Sequence, residues 1–154
     1  MTAGRLAGIA RHGAPKGPME TLERVAVTAA EGVRGDYRGA MASTRPGRRR
    51  QVSLIEADCV NAALAESGAG LDWSKCRRNL LVEGLRLPRE EGTRVQLGTS
   101  LVIEITCECD PCERMDALHP GLRAALTPDW RGGFLGRVIE DGEIAVGDEI
   151  RILS

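Results

Sequence analysis

Three thiols fall within six residues in Cys107-Glu108-Cys109-Asp110-Pro111-Cys112. They close an alternating apolar segment and stand against a proline, which lacks the N–H that a strand ladder needs. Metal ligation, thiolate reactivity and plain packing are all open to such a cluster. C-x-C and C-x-x-C spacings occur in zinc sites, but a structural zinc takes four ligands. The outside donors are His12, His119, Cys59 and Cys76, and none of them forms a recognisable second pair. A strand-borne cysteine is also a small hydrophobe, a reading that suits Cys107 and Cys109. Cys112 follows a proline and precedes Glu113-Arg114. Partial exposure near a cation favours the thiolate, which is the reactive form.

The second chemical feature is guanidinium. The chain has nineteen arginines against two lysines. A GC-rich genome would enrich arginine too, so location has to decide. Arg48-Arg49-Arg50 precedes an apolar segment beginning at Gln51, Arg77-Arg78-Asn79 precedes one beginning at Leu80, and Arg131-Gly132-Gly133 precedes a third. Any one of these arginines, taken alone, is a solvated surface charge. If the three segments are strands of one barrel, their starts could gather several planar forks that grip phosphate or carboxylate bidentately. Gly132 and Gly133 would add backbone N–H groups free to approach an anion. A net charge of −1 with one Tyr, one Phe and two Trp argues against nucleic acid, which needs a basic face and stacking platforms. A small anionic ligand fits better.

Other catalytic patterns are missing. There is no G-x-G-x-x-G, Walker loop, H-E-x-x-H or G-x-S-x-G. Of the two histidines, His119 reads as a surface residue at a helix start and His12 as a solvated turn residue. Asp36 and Glu56 are candidate site carboxylates that no pattern singles out.

Elements able to position these groups can be read from punctuation and period. Glycines spread over the whole chain, next to short apolar runs, predict many short strands joined by turns. Strands are expected over 6–11, 22–27, 51–55, 80–82, 95–97, 101–107, 134–139 and 149–153, with a hairpin at Gly98-Thr99 and turns over 31–36 and at Asp141-Gly142. Residues 13–18 can only be a loop. Residues 39–49 are small, polar and basic, and read as a mobile surface loop. Helices are expected over 56–66, where Cys59, Val60, Ala63 and Leu64 fall at helical spacing before Gly68, and after Pro120. Strands that do not alternate with helices exclude a doubly wound sheet and favour a barrel with helices packed outside it.

At 154 residues the chain has the length of one domain, read as spanning 1–154 with a core over 5–153. No apolar run approaches the roughly 20 residues of a membrane span, and Met1 to Ala10 lacks a signal peptide's apolar block. Five cysteines cannot all pair. The expectation is a cytoplasmic protein with reduced thiols and no membrane partner.

Taken together, the segments resemble a known family. Gly32-Val33-Arg34-Gly35-Asp36, Arg50-Gln51-Val52-Ser53-Leu54-Ile55, Arg77-Arg78-Asn79-Leu80, Gln96-Leu97-Gly98, Pro111-Cys112-Glu113-Arg114-Met115, Arg131-Gly132-Gly133 and Ile144-Ala145-Val146-Gly147-Asp148 occur in the order seen in MOSC proteins, named for the C-terminal domain of molybdenum cofactor sulfurases. The Pro-Cys-x-Arg-Met element is the most specific. The resemblance implies a mainly β fold with peripheral helices, built on a closed seven-stranded barrel similar to the pyruvate kinase β-barrel domain. It implies binding of the molybdenum cofactor in its molybdopterin form, with Cys112 as the catalytic thiol and metal ligand or as a carrier of sulfur. Arg49, Arg50, Arg77, Arg78, Asn79, Arg114, Arg131, Gly132 and Gly133 become the expected cofactor-binding residues. One departure stands out: larger bacterial relatives carry a His-bearing stretch after the Gly-Asp turn, where this chain runs from Gly35-Asp36-Tyr37-Arg38-Gly39 into an Arg-rich segment.

Three functions follow as expectations. The first is reduction of an N-hydroxylated small molecule, with an external electron donor. The second is a sulfur-carrier or cofactor-transfer module charged by a cysteine desulfurase, whose pyridoxal phosphate would belong to that partner. The third is a zinc-stabilised structural domain. Nothing in the sequence sets the oligomeric state.

Overall fold

The computed structural model describes residues 3–43 and 50–153. Its strands are β1 (Ala3–Arg11), β2 (Glu20–Leu22), β3 (Arg24–Thr28), β4 (Gly32–Val33), β5 (Val52–Glu56), β6 (Leu80–Glu83), β7 (Arg94–Leu97), β8 (Leu101–Glu108), β9 (Phe134–Glu140), β10 (Gly142–Ala145) and β11 (Glu149–Ile152). The α-helices are α1 (Tyr37–Ser43), α2 (Ala57–Ser67), α3 (Glu113–Leu118) and α4 (Leu122–Leu126).

Following the ladders, β1 pairs with β11, then β7, β8, β9, β5 and β6, and β6 returns to β1. The result is the closed seven-stranded barrel that the sequence led us to expect. Strands in a ring can alternate direction all the way round only if their number is even. With seven, one pair must be parallel: β5 runs parallel to β6, with Leu54 opposite Leu80 and Ile55 opposite Leu81. Parallel neighbours cannot be joined by a tight turn, so α2 lies in the connection between them. A second sheet, β10-β3-β4, sits beside the barrel, and β2 extends β1 through Ile9 opposite Leu22.

Side-chain alternation divides the apolar residues into two cores. Leu54, Leu80 and Val82 face the barrel interior with Leu6, Ile9, Ile103, Ile105 and Phe134. Their neighbours Ile55 and Leu81 point outward, under Val60, Ala63 and Leu64 of α2 and under Met115, Leu122 and Leu126. All five residues of β5 are therefore buried, as expected of a strand covered on both faces. Gly68 ends α2 with φ 75°, a left-handed conformation that glycine adopts without strain.

Three expectations change. Residues 39–43 belong to α1 and are not part of a mobile loop; the rest of that expected loop, with Arg48 and Arg49, lies outside the described residues. Small side chains that offer nothing to bury instead allow close approach, since a Cβ on Gly39 would stand 2.4 Å from the Glu31 carbonyl oxygen. The expected strand at 22–27 is divided between β2 and β3. Glu56 is a clasp. It is 4% exposed, accepts from Arg89 Nη2 at 2.6 Å and Nη1 at 2.8 Å, and accepts from the Leu87 N–H at 2.6 Å. This pins the segment between β6 and β7 against α2.

Removing one member of a buried pair leaves the other charged and unmatched. Glu56→Ala should lower the unfolding free energy by about 3 kcal/mol in urea melts. A loss below about 1 kcal/mol, the scale of exposed pairs, would show that the clasp carries no such load.

Candidate functional site

Because β5 and β6 are parallel, the residues that precede them emerge at the same end of the barrel. Arg50 arrives there before β5, and Arg77 and Arg78 before β6. They line a cavity of about 350 Å³, closed on other sides by His12, Pro15, Lys16, Tyr37, Arg38 and Met41, and by Cys112, Arg114 and Met115. The size is within the usual range for small-ligand sites. Among the described residues six lining side chains are cationic (Lys16, Arg38, Arg50, Arg77, Arg78 and Arg114) and none is a carboxylate.

Neutral acceptors hold these cations. Arg78, 5% exposed, donates from Nε to the Gly132 carbonyl at 2.7 Å and from Nη1 to the Cys76 carbonyl at 2.7 Å. Arg77 occupies the left-handed region at φ 66°, which few non-glycine residues adopt. Its Nη1 donates to the Gly17 carbonyl at 2.9 Å, and its buried Nη2 has no hydrogen-bond partner among the described residues. Burial first, then repulsion from neighbouring arginines, lowers the pKa of Arg50 and of Arg77. A guanidinium does not deprotonate in a protein, so the lowering expresses first the cost of burying the charge and then repulsion between neighbours, both of which a bound anion would offset.

Cys112 is the exposed thiol of the five. It reaches the cavity because residues 109–111 lie across Gly132: a Cβ there would stand 2.6 Å from the Cys109 carbonyl oxygen and 3.1 Å from Pro111 Cδ. Gly132 is thus packed between the cysteine segment and Arg78. Gly133, at φ 104°, would put a Cβ 2.1 Å from the Leu54 carbonyl oxygen. Its N–H is used by Trp130 and its carbonyl by the Cys109 N–H. These glycines position the site through their lack of side chains and do not line the cavity.

The other expected site residues divide by topology. Arg114 lines the cavity. Asn79 stands behind it, with Nδ2 donating to the Ala10 carbonyl and Oδ1 accepting from the Ser53 N–H and hydroxyl. It ties β1 to β5 across the start of β6. Arg131 precedes β9 and does not line the cavity: the carbonyl of the next residue, Gly132, accepts from Arg78, but the Arg131 guanidinium pairs with Glu66 of α2 at 2.9 Å. Arg49 lies outside the described residues.

The remaining thiols and histidines are dispersed. Cys59 donates to Glu56 at 3.2 Å, Cys76 is in the outer core, and His119 Nε2 is 2.8 Å from the Ser67 carbonyl oxygen. Among the described residues no three His, Cys, Asp or Glu side chains are grouped to hold a metal, and the zinc reading loses the second pair it needed.

His12 corrects the sequence reading most. Far from solvated, it is 6% exposed, lines the cavity and has no hydrogen-bond partner at Nδ1. That atom is 3.5 Å from Asp36 Oδ1. Asp36, 2% exposed, accepts from the His12 and Gly39 N–H groups and so caps α1. His12, Lys16, Tyr37, Arg38 and Met41 were not foreseen as site residues. The signal available was adjacency: residues 11–18 and 36–41 follow a barrel strand and a Gly-Asp turn, where loops carry function.

Burial lowers the His12 pKa below 6.5; Asp36 pulls it up, and Arg77, Arg38 and Arg50 lower it further. The unfolded chain takes up a proton near 6.5, whereas the folded chain resists until lower pH. The neutral ring's contribution to stability is therefore complete above that value and is lost as pH falls through the folded value. Urea melts at stepped pH should show wild type weakening below pH 6.5 more steeply than His12→Gln. Identical slopes would refute this.

Comparison with known proteins supplies the lineage. A search of curated protein sequences found no match. In structure the chain is similar to the YuaD protein from Bacillus subtilis, with TM-score 0.75 and 18% identity over 96% of this chain and 94% of that one. It is also similar to YiiM from Geobacillus stearothermophilus (TM-score 0.70, 18% identity, 98% and 75% covered) and YiiM from Escherichia coli (0.69, 15%, 97% and 70%). At such identities these likenesses show the fold alone. Among the described residues no helix is long and apolar enough to cross a membrane. The sequence profile of the MOSC domain matches residues 11–151, nearly the whole chain. On that match the chain belongs to the MOSC domain family, which is associated with the molybdenum cofactor.

Proposed function

We propose that this protein holds the molybdenum cofactor in the arginine-lined cavity, with Cys112 as the thiol that meets the metal, and that it reduces N-hydroxylated small molecules. One observation carries the reading: an exposed thiol opens on a cavity whose lining, among the described residues, has six cations and no carboxylate. The donor set suits the group. Arginine forks match phosphate, a soft thiolate suits a sulfur-bonded metal centre, and Arg77 Nη2 is a buried donor without a hydrogen-bond partner among the described residues.

Within that reading Arg50 and Arg78 hold the cofactor's phosphate, and Cys112 supplies sulfur ligation. When bound, the cofactor supplies two-electron chemistry: removing oxygen from an N–OH group takes two electrons from an external donor and two protons, and releases water. His12, kept neutral beside Asp36, is placed to exchange a hydrogen bond with whatever occupies the cavity. Met115, buried beneath the site, limits water on that side.

The exposure of Cys112 also favours a second reading, in which the same thiol carries a persulfide delivered by a cysteine desulfurase. Pyridoxal phosphate would then be that partner's cofactor.

Metal and pterin analysis of freshly purified protein should find molybdenum in the wild type and its loss in Cys112→Ala, with unchanged circular dichroism. Cofactor-loaded protein given a strong artificial electron donor should reduce hydroxylaminopurine or an amidoxime. If it does not, and mass spectrometry after incubation with a desulfurase finds one added sulfur on Cys112, the carrier reading takes its place. Added sulfur confined to Cys107 or Cys109 would contradict the assignment of Cys112.

A further inference from the structure

The cavity holds more positive charge than one phosphate requires. A phosphate monoester carries about two negative charges near neutral pH. Set against the six cationic lining residues among those described, and with the Asp36 carboxylate acting on both Arg50 and Arg77, it leaves about three positive charges unanswered. Lys16 and Arg38 are exposed and partly answered by solvent. Arg77, Arg78, Arg50 and Arg114 are buried or half-buried.

These four fall into two groups. Arg50 lies in the field of Arg78 and Arg38, and Arg77 in the field of Arg114 and Arg38, with the Cys112 sulfur nearby. Arg78 spends Nε and Nη1 on the Gly132 and Cys76 carbonyls, which leaves Nη2 uncommitted among the described residues. In the other group Arg77 Nη2 is buried without a partner among the described residues, and an unpaired buried donor costs about 1–3 kcal/mol. His12, more than nine-tenths buried, also lines the cavity, with its Nδ1 turned to Asp36 Oδ1 at 3.5 Å.

We infer that the cavity has two anion anchors, Arg50 with Arg78 and Arg77 with Arg114, so that the small molecule bound beside Cys112 carries an oxyanion of its own, a carboxylate or a phosphate. The inference rests on the functional reading above only in giving the first anchor to the cofactor's phosphate. A neutral substrate would leave Arg77 and Arg114 facing each other across the thiol.

The test is a calorimetric titration of the full chain with inorganic phosphate at low ionic strength. Protein from a host unable to make the pterin should bind two phosphates per chain, and cofactor-loaded protein one. In cofactor-free protein Arg50→Gln and Arg77→Gln should each lose one of the two. Arg114→Gln reads the second anchor again without touching the left-handed residue, should Arg77→Gln fail to fold. On loaded protein, displacement of phosphate by acetate assigns a carboxylate-bearing molecule, and displacement by methyl phosphate alone assigns a phosphate. Displacement by neither, or a single phosphate per cofactor-free chain, overturns the inference. A chain that retains pterin yet takes one phosphate when cofactor-free keeps the functional reading and loses this one; two phosphates with no pterin ever retained does the reverse.

Discussion

Closing a barrel with seven strands forces one pair of neighbours to run parallel, and the rest of the site follows from where that pair falls. In this chain it is β5 and β6, so the residues leading into both strands emerge together. An arginine-rich stretch precedes each one. Topology alone therefore gathers like charges that would be scattered if every pair were antiparallel. Arg131 shows that nearness in the chain is not enough: Gly132 beside it touches Arg78, but the Arg131 guanidinium turns to Glu66 and its charge is matched there.

Gathering cations is unfavourable unless something holds them without cancelling them. Arg77 and Arg78 are fixed by backbone carbonyls, which satisfy N–H groups while leaving the net charge in place. The contrast is Arg89, gripped by both oxygens of Glu56 and laid over the Phe134 ring at 5.2 Å. There the charge is matched and the pair serves the fold. Away from the cavity, Arg5, Arg34, Arg94 and Arg137 are likewise matched by glutamates. Arg89 donates to a carbonyl as well, so what separates arginines kept for a ligand from arginines spent on stability is the carboxylate partner that Arg77 and Arg78 lack among the described residues.

How far the sequence revealed this depended on the kind of signal each part carries. Period-2 patterns in β8 and the punctuation around β5, β6 and β7 made the barrel legible. Cys112 and the arginines before β5 and β6 were legible because residue type and local setting agree. Helix α3 was not foreseen: six residues give Met115 and Leu118 one spacing only, too little to show a period. Strand β10, just past the expected Asp141-Gly142 turn, was not foreseen because its partner, β3, is more than a hundred residues away. His12 was misjudged for a related reason. Its burial depends on Asp36, Tyr37 and Arg77, which only the fold brings around it, and the neighbouring Gly13 and Pro15 suggest solvent. Local chemistry is written in local sequence, whereas the walls of a cavity are not.

The five thiols show the same division between what is kept for a ligand and what is given to the fold. Burial pushes up the pKa of Cys59 and of Cys76, which keeps both protonated and poorly nucleophilic. Cys109 is buried beneath the cavity and Cys107 half-buried beside the Thr106 hydroxyl. Cys112 alone is both exposed and set among cations. A chain with several thiols can single one out by covering or neutralising the others, and that is done here with the packing and hydrogen bonds the barrel already needs. Selectivity at the site is then a property of the whole fold: loosening the outer core around Cys76 or the Glu56 clasp around Cys59 would expose competing thiols before it disturbed Cys112 itself.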